Sequence, residues 1–114
     1  MSPSTRDWRL YADDIIESCG KVRRYLAGMS YEAFVADELT RDAVIRNIEI
    51  IGEAAKNLPD EVIGKAPEVE WRKVRGMRDV IAHGYFGLDT MVIWDTAKTK
   101  LEELEAVVRQ LLAP

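Results

Sequence analysis

The sequence has little cysteine and little histidine: Cys19 and His83 are the only residues of each type among 114. A single cysteine excludes an intrachain disulfide and any zinc site built from several thiolates. No stretch reaches the roughly 18 apolar residues of a membrane span, and the first nine residues, MSPSTRDWR, lack the apolar run of a secretory signal. We therefore predict a cytoplasmic protein without membrane contact, and we expect neither a metal nor a cofactor.

Positive charge is also scarce over the chain as a whole. Sixteen Lys and Arg oppose twenty Asp and Glu, which gives a formal net charge of −4 and an isoelectric point near 5.0. Because no whole-surface field attracts nucleic acid, any polyanion site must be local. A chain of this length folds as one domain, here residues 1–114, and buries roughly two-thirds of the surface that the unfolded chain exposes.

Apolar residues recur at steps of three and four, and no segment alternates with a period of two. This pattern predicts an all-α fold, an up-and-down bundle of four main helices joined by short connections. We expect the first helix over about residues 5–27, with Gly28 as its stop. Ser30 is the expected cap of a short second helix that ends near residue 36.

Three further segments complete the predicted bundle. We expect Thr40 to cap the third helix, which ends at Pro59, and residues 59–69 to form a loop with at most one helical turn. The next helix covers about residues 69–83 and stops at Gly84. The last helix starts near residue 89 and carries apolar residues at strict 4-3 spacing, Trp94, Ala97, Leu101, Leu104, Val108 and Leu111.

The segment from residue 70 to residue 78 is the basic part of this acidic chain. Arg72, Lys73, Arg75 and Arg78 oppose only Glu70, so the local charge is +3. A phosphate would bind here, and Arg72, Lys73 and Arg75 are substrate-binding candidates, although a solvated helix face would carry the same residues. On the third helix, Asn47 is a further candidate that could equally bond to neighbouring helices.

The same helix holds a possible acid–base group. Asp79 lies four residues before His83, so its carboxylate can accept a hydrogen bond from one imidazole nitrogen and leave the other free for proton transfer. Arg78 and His83 are five residues apart, about 140° around the helix, and do not converge on one atom. Two copies related by a twofold axis would bring both groups into one cleft.

Paired histidine and arginine suit metal-free cleavage of RNA. An imidazole can take the proton from the ribose 2′-hydroxyl, while a guanidinium stabilises charge on the phosphate oxygens. DNA has no such hydroxyl and should resist cleavage. The residues thus predict catalytic roles for Arg78 and His83, with Asp79 orienting the imidazole.

The run Arg78-Asp79-x-x-x-His83-x-Tyr85 resembles the R-x-x-x-x-H-x-Y signature of HepT toxins, within the HEPN group of ribonucleases. Upstream, residues 46–54 resemble the third helix of HepT proteins through Arg46-Asn47-x-x-x-x-Gly52-Glu53-Ala54. The resemblance implies a helical homodimer whose catalytic cleft lies at the subunit interface. It also implies RNA, often transfer RNA, as the substrate.

A partner protein follows from the resemblance as well. HepT toxins of type VII toxin–antitoxin systems are paired with MntA, a small nucleotidyltransferase antitoxin that transfers AMP from ATP to the motif tyrosine, here Tyr85. Adenylylated Tyr85 would place a bulky anion two residues from His83 and silence the toxin. Two alternatives stay open: a catalytically silent HEPN dimer that binds a nucleotidyltransferase or a nucleotide, and a purely structural helical dimer.

Overall fold

The structure, a computed structural model, describes residues 6–84 and 90–114, and for residues 78–84 it describes the backbone alone. Every regular element in these ranges is helical, which confirms the predicted all-α fold. A π-helical turn, Thr96–Lys100, joins the last two helices. The helices are α1 (Trp8–Leu26), α2 (Tyr31–Ala36), α3 (Glu38–Ala55), α4 (Asp60–Ile63), α5 (Trp71–Gly84), α6 (Thr90–Asp95) and α7 (Leu101–Leu112).

Helix α3 is the centre of the bundle. It packs against α1 on one side and α5 on another, while α1 also packs against α7. The core between these helices is aliphatic, and Phe34 of α2 is fully buried in it. Full burial of such a side chain contributes about 1.5–3 kcal/mol. The largest buried side chains of the core are Ile15, Val22, Leu26, Phe34, Val44, Ile51 and Val108.

Polar side chains cap the N-termini of the first two helices, and a glycine terminates the first. Asp7 caps α1, its carboxylate accepting from the backbone N–H of Arg9 at 2.9 Å. After α1, Gly28 has a φ of 72°, a conformation that side chains other than glycine rarely adopt. The Ser30 hydroxyl accepts from the N–H of Ala33 at 3.1 Å and opens α2, as the sequence predicts.

The start of α3 differs from the prediction. The N-cap is Asp37, not Thr40, and the helix already begins at Glu38. The Asp37 carboxylate accepts from the backbone N–H of Thr40 at 3.0 Å and from its hydroxyl at 2.7 Å. These bonds lower the pKa of Asp37. Aspartate and threonine are both good caps, and here the earlier one satisfies the free N–H groups of the first turn.

The last helical segment is also less regular than its sequence spacing suggests. The π-helical turn at Thr96–Lys100 takes up an extra residue, so that the buried series begins at Ile93 and continues at Ala97 and Leu101. Trp94 is only partly buried; its ring packs against those of Tyr31 and Phe34, with centroids 5.8 and 5.2 Å away. The strict 4-3 seam is therefore correct only after the π turn.

The remaining boundaries shift by a few residues. Helix α3 ends at Ala55, and turn bonds such as Leu58 N–H to Ala55 carbonyl lead into Pro59, which disfavours helix in the residue before it. Helix α4 is the single turn expected in the following loop. Helix α5 includes Gly84, and the predicted stop there borders residues 85–89, which lie outside the described part of the chain.

Candidate functional site

Arg75 fixes the helix that carries the motif to the end of α3. Its Nε donates to the carbonyl of Ala55 at 3.1 Å and its Nη2 to the carbonyl of Leu58 at 2.7 Å. Nη1 lies 3.6 Å from the carboxylate of Asp60. Carbonyls at a helix C-terminus lack intrahelical partners, and a guanidinium satisfies them well. Arg75 cannot bind a substrate phosphate through these donors while it holds the two carbonyls.

Trp71 fixes the first turn of the same helix. Its side chain is buried, and the indole Nε1 donates to the carbonyl of Ala66 at 2.9 Å. A buried indole that finds such a partner adds its large apolar area to the core at no polar cost. Together with Arg75, Trp71 gives α5 a defined position against the loop and α3.

The hydrogen bonds of Arg75 and Trp71 also set the position of the motif along the long axis of the bundle. The N-terminal end of α5 meets the C-terminal end of α3, so the two helices run antiparallel. His83 lies eight residues after Arg75, and Asn47 lies eight residues before Ala55, which is about 12 Å along each helix. Asn47 and the backbone of His83 are thus at a similar height in the bundle.

Asn47 is one of the few buried polar residues of the described chain. Its Nδ2 donates to the carbonyl of Ala43 at 2.8 Å. Its Oδ1 is buried and has no hydrogen-bond partner among the residues described. An unsatisfied buried acceptor costs about 1–3 kcal/mol, so the fold alone gives no reason for an amide at this position.

The structure separates the three basic residues at the start of α5. Lys73 forms an ion pair with Glu70 at 2.9 Å, and Arg75 holds the end of α3. Arg72 is exposed and has no hydrogen bond or ion pair with the side chains of residues 6–77 and 90–114. Of the three substrate-binding candidates on this helix, only Arg72 leaves its full set of donors to solvent.

The backbone of α5 is helical through Arg78, Asp79 and His83. Asp79 and His83 keep the four-residue spacing that lets a carboxylate reach an imidazole. Arg78 and His83 remain about 140° apart around the axis, because the helix does not change its winding between them. Tyr85 lies outside the described residues. The structure therefore places the backbone of three of the four motif residues and leaves Arg78 and His83 on different sides of α5.

Gly76 lies in the middle of α5, where glycine costs about 1 kcal/mol relative to alanine. A Cβ built on it would have no heavy atom within 4 Å. Packing within the described chain therefore does not require glycine here, and the surface above Gly76 is open.

A groove of about 560 Å³ separates α5 from the π turn and α7. Its floor is apolar, with Val74 and Met77 on one side and Leu104 and Val107 on the other. Three glutamates and two lysines also line it, so its charge does not favour a polyanion. The groove-lining residues are Glu68, Val69, Glu70, Lys73, Val74, Met77, Thr96, Lys100, Leu101, Glu103, Leu104 and Val107.

A polar cluster that was not predicted from the sequence joins α1 to α7. Glu105 is buried and binds two arginines, Arg23 at 2.5 Å and Arg109 at 2.9 Å. Burial raises the pKa of Glu105, but the hydrogen bonds from the two arginines lower it by more, so the pKa lies below its usual value. The signal was present: Glu105 is four residues before Arg109 and directly follows the core residue Leu104.

Cys19 lines the same cluster and is buried. Burial, reinforced by the charge of Glu105, raises the pKa of its thiol to about 12. A thiol with that pKa is almost entirely protonated at neutral pH and is a poor nucleophile. The cluster is a structural tie between two helices rather than a candidate reaction site.

Among the side chains of residues 6–77 and 90–114, no group of three or more His, Cys, Asp or Glu could hold a metal ion. None of the helices described there is long and apolar enough to span a bilayer.

Comparison with known proteins adds a family to this geometry. The model of a family described as ribonuclease HepT-like matches residues 15–111. A protein of Caldanaerobacter subterraneus subsp. tengcongensis, named as a candidate RNase, is 40% identical to this chain. The alignment covers 91% of this chain and 93% of that protein. A Thermococcus cleftensis protein named "Probable ribonuclease HepT" is 38% identical, and its alignment covers 93% of this chain and 96% of that protein. None of the solved structures matches significantly.

Proposed function

Because the chain belongs to the HepT-like ribonuclease family, we propose that it is a metal-independent endoribonuclease toxin whose active site lies between two copies of α5. The observation that carries this proposal is the family match over residues 15–111, which includes the whole of α5. That helix carries Arg78, Asp79 and His83, which are residue types that acid–base cleavage of RNA uses.

The reaction follows from the three side-chain types. His83 removes the proton from a ribose 2′-hydroxyl, and the resulting oxygen attacks the adjacent phosphorus. The bond from phosphorus to the 5′-oxygen breaks, which leaves a 2′,3′-cyclic phosphate on one fragment and a 5′-hydroxyl on the other. Arg78 stabilises the charge that develops on the phosphate oxygens, and Asp79 orients the imidazole. General acid–base catalysis of this kind contributes typically about 10²–10⁴-fold.

The helix geometry supports a site that is shared by two copies of the chain. Positions 78 and 83 lie about 140° apart on a regular helix, which favours a site that takes the arginine and the histidine from different copies. A twofold axis beside α5 would set the arginine of one copy against the histidine of the other. The 5′-oxygen also needs a proton as it leaves, and the second copy's histidine, or Tyr85, would supply it.

Regulation would act on Tyr85, through a partner nucleotidyltransferase of the MntA kind. The phenol oxygen of Tyr85 attacks the α-phosphorus of ATP, pyrophosphate leaves, and AMP remains on the tyrosine. The added phosphate is an anion two residues from His83, and it would compete with RNA for Arg78. Incubation with the transferase and ATP should raise the mass of the protein by AMP units and abolish RNA cleavage, and Tyr85→Phe should prevent both effects.

One assay tests the ribonuclease proposal. Purified protein incubated with transfer RNA in EDTA should release fragments that end in 2′,3′-cyclic phosphate. His83→Ala and Arg78→Ala should each lower the rate by about 10²-fold or more. Intact RNA under these conditions would favour a non-catalytic binding module. Cleavage only after a divalent cation is added would refute the metal-independent mechanism.

A further inference from the structure

One face of α5 joins its basic beginning to the proposed catalytic motif. Arg72, Gly76, Asp79 and His83 follow one another at steps of four, three and four residues. At about 100° per residue, these four positions fall within about 60° around the helix. Arg72 is exposed, and the space above Gly76 is open. We call this strip of four positions the Arg72 face.

Arg72 is the basic residue that this face offers to a ligand. Lys73 is about 100° away around the helix and is paired with Glu70. Arg75 is turned to the carbonyls at the end of α3. Arg72 alone among these three combines exposure, a position in line with Asp79 and His83, and no partner within the described ranges.

The positive charge of Arg72 does not stabilise the fold through any contact that the structure describes. The first turn of α5 contains no acidic residue, and positive charge near a helix N-terminus opposes the helix dipole. Glycine at position 76 is likewise unfavourable for the helix, and no neighbouring atom within the described chain requires it. Both features are explained if an extended anionic ligand lies along the Arg72 face.

We propose that Arg72 binds a phosphate of the RNA strand several nucleotides away from the cleaved linkage, with the strand passing over Gly76. This inference rests on the proposed ribonuclease function. Arg72 lies about 10 Å from Asp79 and about 16 Å from His83 along the helix axis. A stacked strand advances about 3.4 Å per nucleotide, so the contact lies beyond the two linkages of a trinucleotide. A guanidinium suits the site because it binds phosphate through two parallel hydrogen bonds.

Binding experiments test the inference without relying on cleavage. A ten-nucleotide RNA with 2′-deoxy sugars at every cleavable position serves as the probe, and its affinity is measured by fluorescence anisotropy at several salt concentrations. Arg72→Ala should weaken binding roughly 5- to 10-fold at low salt and reduce the slope of log affinity against log salt by about 0.7. Arg24→Ala, which removes an exposed arginine from α1, is the control with the same change of charge and should leave the slope unchanged.

Substrate length gives an independent readout. Arg72→Ala should raise KM for a ten-nucleotide RNA with little change in kcat, and it should leave kcat/KM for a trinucleotide unchanged. Equal losses on both substrates, or a salt slope equal to that of Arg24→Ala, would overturn the inference. So would a weakened dimer with unchanged RNA affinity, because the Arg72 face would then be a subunit contact. Failure of the wild-type protein to cleave any RNA would refute the proposed function. The slope of log affinity against log salt tests the Arg72 contact independently of cleavage.

Discussion

Nη2 of Arg75 lies 2.7 Å from the carbonyl oxygen of Leu58, and this bond ties the first half of α5 to the turn that follows α3. Nε of the same guanidinium holds the carbonyl of Ala55 at 3.1 Å. The two bonds set α5 antiparallel to α3 and fix its height in the bundle. Arg75, a candidate phosphate ligand in the sequence, thus attaches α5 to the end of α3.

Substitution of Arg75 should therefore reduce stability. Arg75→Met keeps much of the aliphatic stem but leaves the carbonyls of Ala55 and Leu58 without their donors, so we expect a loss of about 1–3 kcal/mol. Urea denaturation followed by circular dichroism measures it. Arg72→Ala, three residues earlier and exposed, should change stability by no more than about 0.5 kcal/mol. Equal stability of the two variants would show that the carbonyl bonds contribute nothing.

The Glu105 cluster predicts a dependence of stability on pH. The pKa of Glu105 is lowered in the folded state, so its contribution is complete above the unfolded pKa of about 4.3 and disappears as pH falls through the lower folded pKa. Thermal melts between pH 6 and pH 2.5 should show a smaller acid-induced loss for Glu105→Gln than for the wild type, because glutamine does not titrate. At pH 7 we expect Glu105→Gln to be less stable by about 1–2 kcal/mol. Parallel curves for the two proteins would show that Glu105 does not contribute to the loss of stability in acid.

Asn47 tests whether a buried amide serves the reaction rather than the fold. Asn47→Leu removes an acceptor that no described group satisfies, so the stability should stay within about 1 kcal/mol of the wild type or increase. If the amide supports the motif at the height of His83, RNA cleavage should fall at least about 10-fold while the dimer persists. Steady-state cleavage and urea denaturation on the same preparation decide between the roles. A strong loss of stability with normal specific activity would make Asn47 purely structural.

Gly76 should behave oppositely to Gly28. Gly76→Ala gains helix propensity without a clash, so we expect about 0.5–1 kcal/mol of added stability. Gly28→Ala should lose stability, because alanine is strained at a φ of 72°. Differential scanning calorimetry compares the two variants. A destabilised Gly76→Ala would mean that neighbouring groups crowd this part of α5 after all.

The sequence predicted most of the fold because the main helices have long apolar stripes, and the caps at Ser30 and Gly28 follow directly from residue type. It misplaced the start of α3, since Asp37 and Thr40 compete as caps and only the three-dimensional hydrogen bonds select between them. It also missed the π turn, because an extra residue in a helix leaves the apolar spacing nearly intact.

The site was predictable in part. Spacing alone places Asp79 and His83 on one face of α5 and shows that Arg78 and His83 diverge. The different roles of Arg72, Lys73 and Arg75 were not predictable, because they depend on which side of α5 meets α3. A basic run has the same appearance in sequence whether its members hold carbonyls, pair with glutamate or face solvent.

The central claim is that one cleft uses groups from two chains, and mixed dimers test it most directly. Wild-type and His83→Ala subunits carrying different affinity tags are combined, the heterodimer is purified through both tags, and its RNA cleavage rate is measured in EDTA. If the cleft needs both histidines, the heterodimer should retain less than about one-tenth of the wild-type rate. A rate of half the wild-type value, which is full activity per remaining His83, would contradict a cleft that needs the histidines of both chains.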